Sequence, residues 1–212
     1  MSNSQNASPT IGLKRLVVWP LVEDSKNNLE YDEPYEFGVR LMTLSDDPSI
    51  AQGSIDADDM VAESLVAVDG GKITVGVTDL TAVERQMLLG EVMRNGTNIT
   101  STKNFSGYVC LACMTERADG KYNLKKYPKV KFVPGSESNT TRKKGTVEFV
   151  TQNLSGEYYT CINNHESRAV RYEVPEDDEI VNQWFTDAKY IGPEGASSEP
   201  ETTTTGDDTP EG

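Results

Sequence analysis

The sequence has little of what most enzymes use for chemistry. Among its 212 residues are three cysteines and a single histidine. His165 lies in the polar stretch INNHES, which predicts an exposed turn. Without a second histidine, a serine-type or cysteine-type nucleophile has no obvious base. We therefore expect no catalytic residue and no enzyme activity.

The few cysteines favour buried free thiols over a metal site or a disulfide. Cys110 and Cys113 form a CxxC inside YVCLACMT, which has the pattern of a strand. Residues i and i+3 of a strand point to opposite faces, so this pair is unsuited to chelation or to an easy disulfide. Cys161 has no predictable partner. The acidic cluster at residues 56–59 lacks the ligands and the glycine bend of a calcium loop. We predict no metal and no cofactor.

Basic residues are also scarce, which limits the partners. The chain has 34 acids and 20 bases, and residues 191–212 hold six acids and no base, which leaves −8 of the total charge of −14 on the remainder. Phosphate contacts require Lys and Arg, so this body is poorly suited to gripping nucleic acid, although DNA can slide past it. No apolar run is long enough to cross a bilayer, and MSNSQNASPT does not resemble a secretory signal. We expect no membrane segment.

The composition divides the chain into a body and two polar ends. Residues 1–10 predict a flexible N-terminal arm. Residues 11–190 have the length and pattern of one β domain. Residues 191–212 are rich in Gly, Ser, Pro, Glu and Thr. Such a low-complexity acidic tail cannot form a core, and we predict that it is disordered.

A strand followed by a short helix is the clearest local pattern. Apolar and polar residues alternate over residues 71–78, the period of a strand with one buried face. Thr81 and Glu84 match a capping box, and Gly90 suits a left-handed helix end. Because apolar residues surround much of this helix, we expect a second sheet or a neighbouring subunit to cover it as well.

The rest of the body predicts antiparallel strands joined by turns. Asp119-Gly120 and Asp69-Gly70-Gly71 match hairpin turns, and residues 91–105 predict a loop. Pro175 and the acids after it predict the start of a C-terminal helix, with Ile180, Val181, Trp184 and Phe185 buried. Further strands are predicted at residues 11–22, 39–44, 108–117, 121–133, 147–149, 158–162 and 169–174, the last two as a hairpin. The predicted fold class is mainly β, an antiparallel β-sandwich or roll with one short central helix and one C-terminal helix.

A long loop carries the most concentrated positive charge. Residues 134–145, PGSESNTTRKKG, contain no apolar residue, and loops of this length are usually functional or disordered. Arg142, Lys143 and Lys144 suit a phosphate site, a solvated loop, or a contact with an acidic surface of an adjacent subunit. We favour the last. The acids considered for that contact are Asp46, Asp47, Asp58 and Asp59.

Six stretches, in this order, resemble the major tail tube proteins of long-tailed phages that infect Gram-positive bacteria. They are IGLKRLVVW, ADD at residues 57–59, DLTAVERQMLLG, DGKYNLKKYPKVKF, RKKGTVEFVTQNLSG and VNQWFTDAKY. The resemblance covers roughly residues 11–190. It does not extend to the acidic tail.

The resemblance implies a structural virion protein. Its subunits would form hexameric rings that stack into a tube with a β-lined lumen, through which DNA passes into the host without specific binding. Its partners would be other copies of itself and the tape-measure, tail-terminator and distal tail proteins. It would be assembled in the host cytoplasm and reside in the virion tail. The candidate inter-subunit contacts are Arg142, Lys143, Lys144, Asp58 and Asp59.

An extracellular β-sandwich binding module is the alternative. Its support is the number of N-x-S/T sequons, which lie at Asn6, Asn95, Asn98, Asn104, Asn139 and Asn153. The absence of a recognisable secretory signal and the lone CxxC argue against this alternative. A third class, a small acidic hydrolase, has no feature in its favour.

Overall fold

The computed structural model describes residues 8–38, 41–57, 60–101, 103–134 and 151–192, with the backbone alone for 52–57 and 60–67. These residues form a mainly antiparallel β structure with two short helices, which confirms the predicted fold class. The strands are β1 (Thr10–Ser25), β2 (Asn28–Tyr31), β3 (Tyr35–Glu36), β4 (Leu41–Ala57), β5 (Met60–Val77), β6 (Val92–Arg94), β7 (Thr97–Ile99), β8 (Val109–Arg117), β9 (Tyr122–Val133), β10 (Gln152–Tyr158) and β11 (Ala169–Val174). The helices are α1 (Ala82–Leu89) and α2 (Glu179–Thr186).

Nine of the described strands form one sheet. Its order is β2-β1-β8-β9-β10-β5-β4, with β3 paired to β1 and β11 paired to β9. The two short strands β6 and β7 pair with each other as a separate hairpin. Although β1 and β4 are separated by four strands in this order, they contact each other. The sheet therefore curls into a roll.

The inner side of the roll holds the larger hydrophobic core. Alternate residues of β1, β5, β8, β9 and β10 point into it, as expected for a period of two. Leu88 and Leu89 of α1 complete this core at one end of β5. The largest fully buried side chains here are Leu16, Phe37, Ile73, Leu88, Leu111, Tyr127, Phe132 and Tyr158.

Helix α1 begins and ends at the predicted residues. The Thr81 side chain and the Glu84 carboxylate form a reciprocal capping box, and Gly90 ends the helix with φ of 70°. Glu84 is fully buried, and it accepts hydrogen bonds from Thr81 N at 2.7 Å and from the Tyr35 hydroxyl at 3.0 Å. Because Tyr35 lies in β3, this carboxylate connects the helix to the β1 side of the roll.

Helix α2 covers part of the outer side of the sheet. Val17 and Trp19 of β1 pack there, whereas Leu16 and Val18 face the inner core, so β1 is buried on both faces. The same holds for β8, as its apolar sequence predicts. Val181, Trp184 and Phe185 are buried as predicted, and Ile180 is partly buried. The helix begins at Glu179 rather than at the predicted Pro175. Its N-cap is Asp178, whose side chain accepts a hydrogen bond from the Ile180 backbone N–H.

A lysine is fully buried beneath α2. The Nζ of Lys126 donates hydrogen bonds to the carbonyl oxygens of Asp187 and Tyr190, both at 2.7 Å. It also lies 4.8 Å from the centre of the Trp184 ring, within the range of a cation–π contact. Burial lowers the pKa of Lys126 from 10.5 to about 8, although nearby Asp187 acts in the opposite direction. The lysine thus fastens the segment after α2 to the sheet.

One loop prediction and one hairpin prediction are wrong. Residues 91–105 contain the β6–β7 hairpin, whose turn places Asn95 at φ 51° and Gly96 at φ 76°. Residues 158–162 and 169–174 do not pair as a hairpin, because β11 pairs with β9. A physical reason is that Asp24 accepts hydrogen bonds from the backbone N–H groups of residues 162 and 163. These groups are then unavailable for a strand ladder.

Several predictions lie outside the described residues. They are the strand at residues 147–149, the long loop beyond Pro134, the first seven residues of the N-terminal arm, and the acidic tail beyond Gly192. Of the strand predicted at residues 39–44, residues 41–44 belong to the much longer β4, and residues 39 and 40 lie outside the described residues. At the N-terminal boundary, β1 begins at Thr10, and the Pro9 carbonyl accepts from Ala118 N.

Candidate assembly surfaces

The longest strands project beyond the rest of the sheet as a two-stranded ribbon. β4 and β5 pair from Leu41 and Val77 to Ala57 and Met60. β10 pairs with β5 only over Gly71–Val77. Residues 50–57 and 60–68 therefore have, among the described residues, only each other as strand partners; we call residues 50–68 the ribbon. At about 3.3 Å per residue, its strands are roughly 26 Å long.

A β-bulge marks the base of the ribbon. Pro48 is opposite Gly71 and Ile50 is opposite Val68, so β5 has an extra residue between these pairs. Gly70 has φ of 76°, and a Cβ on it would lie 2.2 Å from the Tyr158 carbonyl oxygen. Only glycine fits there. The prediction of a hairpin turn at residues 69–71 is wrong because these glycines serve a bulge within a continuous strand.

Ion pairs hold the strand that carries the ribbon against the other side of the roll. Asp46 of β4 pairs with Arg168 and, at 3.7 Å, with Lys125 of β9. Burial by itself raises the pKa of Asp46, but the two cations outweigh it and hold this pKa below its usual value. Asp46 was considered for a contact with an adjacent subunit, which stays a prediction; its side chain is 14% exposed, so such a contact would compete with the two cations of its own chain.

The outer face of the sheet near the ribbon carries charges of alternating sign. Asp47, Lys72, Glu157 and Lys131 are successive cross-strand partners on β4, β5, β10 and β9. Such partners share one face, and opposite charges side by side are favourable. Among the described residues, those packed with α2 include none from β4, β5 or β10. This uncovered face therefore offers no concentration of positive charge to nucleic acid.

The five residues named from the sequence as inter-subunit contacts all lie outside the described residues. They are Arg142, Lys143, Lys144, Asp58 and Asp59. The chain neighbours of Asp58 and Asp59 are described: Ala57 and Met60 are the last paired residues of the ribbon. The ribbon itself was not predicted, since residues 50–63 are small and polar. The continuity of β-favouring residues from Leu65 to Val77 was the available signal.

The described residues contain few groups suited to catalysis. His165 is exposed next to a turn, with φ of 59°. All three cysteines are free and buried, which confirms the prediction. Burial raises the pKa of Cys110 and of Cys113 to about 12, so these thiols are protonated at neutral pH. Across the described ranges, no group of three or more His, Cys, Asp or Glu side chains is placed to hold a metal ion.

One sequon has a structural use. Nδ2 of Asn98 donates to the Ala82 carbonyl oxygen at 3.0 Å and to Glu91 Oε2 at 2.9 Å. This is the atom to which a glycan would be attached. Its two hydrogen bonds connect β7 to the start of α1 and to Glu91, which follows the C-cap of α1, so the residue has a role that does not involve glycosylation.

Comparisons with known proteins leave the family open. No protein-family model and no curated protein sequence matches the chain. None of the helices within the described part of the chain has the length and apolar content needed to span a bilayer.

Proposed function

We propose that this protein is the tail tube subunit of a long-tailed phage. Its copies form hexameric rings through their ribbons, and the rings stack into the conduit through which DNA leaves the virion. The proposal combines the resemblance of residues 11–190 with one observation, the ribbon whose outer edges are unpaired among the described residues.

The exposed edges of the ribbon support association between copies. Each edge of an antiparallel ribbon leaves about half of its backbone N–H and C=O groups unpaired. A single two-stranded hairpin is marginally stable in water, and a long uncovered edge strand is a template for pairing with another chain. A ribbon of this length is therefore best explained as one part of a larger sheet built from several copies.

The direction of the strands determines how the ribbons join. β4 and β5 are antiparallel, so the β4 edge of one copy meets the β5 edge of the next in antiparallel orientation when the copies are related by rotation. The two edges are different surfaces. Such heterologous contacts close into a ring when the rotation allows it. Ring closure removes every free edge, as in other β-barrels.

The negative charge of the ribbon suits the lining of a channel through which DNA moves. Residues 50–68 contain four acids, Asp56, Asp58, Asp59 and Glu63, and no base. Tight binding of DNA requires neutralisation of phosphates by Lys or Arg, which this segment lacks. A barrel built from ribbons would therefore have little affinity for the DNA inside it.

Removal of the ribbon tests the proposal. In the variant, residues 50–68 are replaced by Asn-Gly, a favoured two-residue hairpin turn, which joins Ser49 to Asp69. Ile50, Ala51 and Val68, the residues of this segment whose side chains are described, are exposed and lie outside the inner core, so this variant should fold. We expect rings and tubes from the wild type in negative-stain electron microscopy, and a folded monomer from the variant by circular dichroism and analytical ultracentrifugation.

A matched control distinguishes loss of the ribbon from the general effect of removing residues and negative charge. Truncation after Gly192 removes a similar number of residues and six acids, and the tail is predicted to be dispensable. This truncated chain should assemble as the wild type does. Assembly by the ribbon variant, or a monomeric wild type at high concentration, would refute the proposed function.

A further inference from the structure

An apolar patch is uncovered around α1. Phe105 is 78% exposed and Val83 is 55% exposed, whereas Leu88 and Leu89 on the same helix are buried. Val92, Met93 and Ile99 of the β6–β7 hairpin are also exposed. We call these five exposed residues, together with the helix face that carries Val83, the α1 patch. Clusters of exposed apolar side chains of this kind mark interaction sites.

The members of the α1 patch are held next to one another by local contacts. Val92 and Ile99 are direct cross-strand partners. Asn98, beside Ile99, donates to the carbonyl oxygen of Ala82, beside Val83. The backbone of Phe105 approaches the C-cap Gly90 so closely that a Cβ there would lie 2.6 Å from it. These contacts hold the helix, the hairpin and the loop that carries Phe105 together, with Val92 and Ile99 on one face of the hairpin and Met93 on the other.

The α1 patch carries positive charge that the described part of its own chain does not neutralise. Arg94, next to Met93, and Lys103, near Phe105, are both exposed. Within the part of the chain that the structure describes, neither makes an ion pair. A partner that covers this patch should therefore combine apolar with acidic residues.

The α1 patch and the ribbon lie at opposite ends of β5. Arg85 of α1 donates to Gln152 Oε1 at 3.1 Å, and Gln152 is opposite Val77, the last residue of β5. The ribbon begins beyond Gly71, at the other end of the segment that pairs with β10.

We propose that the α1 patch binds the acidic ribbon of a second copy of this chain, as the contact between successive rings. This inference rests on the proposed function. The ribbon has apolar residues and four acids without a base, which complements Arg94 and Lys103. Because the two surfaces lie at opposite ends, one copy can offer its ribbon to the next while it receives another at its α1 patch. Such a head-to-tail contact repeats without limit.

The contact is compatible with pairing of ribbons inside a ring. A β-ribbon pairs through its backbone edges, whereas its side chains project from its two faces. The edges therefore join neighbours within a ring, and the part of the ribbon that extends past the body meets the ring beyond it. Phe105 and Val83 would then be covered only in the stacked tube.

Charge reversal at the α1 patch tests the contact. The variant R94E/K103E changes two exposed residues outside both cores, so it should fold and form rings. We expect at least a tenfold lower yield of tubes than from the wild type, measured by sedimentation and by tube length in negative stain. The matched control K26E/K189E reverses two exposed lysines elsewhere on the surface, and it should form tubes normally.

A second pair of variants separates charge from shape. F105S removes the most exposed apolar side chain of the patch, and it should also shorten tubes without changing the thermal stability of the monomer. The ribbon variant D58K/D59K carries the opposite charge reversal. In mixed samples, rings of R94E/K103E should therefore stack again on rings of D58K/D59K. Added salt should weaken wild-type stacking, because exposed charges are screened.

The outcomes distinguish the two proposals. Wild-type tubes together with normal tubes from both R94E/K103E and F105S would overturn the contact and leave the proposed function standing. Loss of rings as well as tubes in R94E/K103E would also overturn it as a contact between rings. A wild type that never assembles would overturn both.

Discussion

The buried lysine beneath α2 gives a quantitative prediction about stability. Lys126 is fully buried, and burial lowers its pKa from 10.5 to about 8. At about 1.4 kcal/mol per pKa unit, this difference corresponds to about 3 kcal/mol between the charged and neutral forms of the buried group. Burial of the charged lysine therefore lowers the free energy of unfolding at neutral pH, and this destabilisation disappears at alkaline pH.

The sign follows from the protons bound in each state. Between pH 8 and pH 10.5 the unfolded lysine keeps its proton while the buried one loses it. Stability rises with pH wherever the unfolded state binds more protons. The contribution of Lys126 to the free energy of unfolding is therefore lowest below pH 8, and it rises until about pH 10.5. Buried thiols act in the opposite direction, because burial raises the pKa of Cys110 to about 12.

A comparison with Lys126→Met isolates this contribution from that of the thiols. Urea denaturation of both proteins at several pH values gives the difference in the free energy of unfolding, wild type minus variant. We expect that difference to rise by about 2 kcal/mol between pH 7.5 and pH 9.5. A difference that is flat or falls over this range would refute the reasoning, and would mean that the two carbonyl oxygens and the Trp184 ring fully compensate for burial of the charge.

Two further predictions concern the capping box and the basic loop. Glu84→Ala should lower the free energy of unfolding by about 2–4 kcal/mol, because the half-buried Tyr35 hydroxyl and the Thr81 N–H lose their buried acceptor. Gln86→Ala on the same helix should change the free energy of unfolding little; thermal denaturation measures both effects. The triple variant R142E/K143E/K144E should give a folded monomer whose tubes elongate more slowly than those of the wild type, as measured by light scattering. Lys143→Ala should have little effect on elongation, since single exposed ion pairs contribute about 0–1 kcal/mol. Normal elongation by the triple variant would exclude the loop as an electrostatic contact.

The sequence predicted elements whose signals are local. The capping box of Thr81 and Glu84, the left-handed Gly90 and the Asp119-Gly120 turn are all found where expected, because each depends on residues within four positions. The free, buried cysteines followed from the period of a strand, which places Cys110 and Cys113 on opposite faces. Such features depend little on the rest of the fold.

The features that define the candidate surfaces depend on distant residues. Gly70 was predicted in a turn, because glycine suits turns and bulges alike; the approach of the Tyr158 carbonyl oxygen selects the bulge. The partner of β11 was misassigned, since the bonds of Asp24 to the loop after Tyr158 cannot be deduced from local pattern. The exposure of Phe105 could not be predicted either, because an apolar residue is expected to be buried.

Cryo-electron microscopy of particles assembled from the purified wild-type chain tests the central claim most directly. We predict stacked sixfold rings in which the β4 edge of each subunit is hydrogen-bonded to the β5 edge of its neighbour, so that the ribbons form one closed wall around a lumen. Particles in which the ribbons stay unpaired or face the outside, or a chain that remains monomeric under all conditions, would contradict the account.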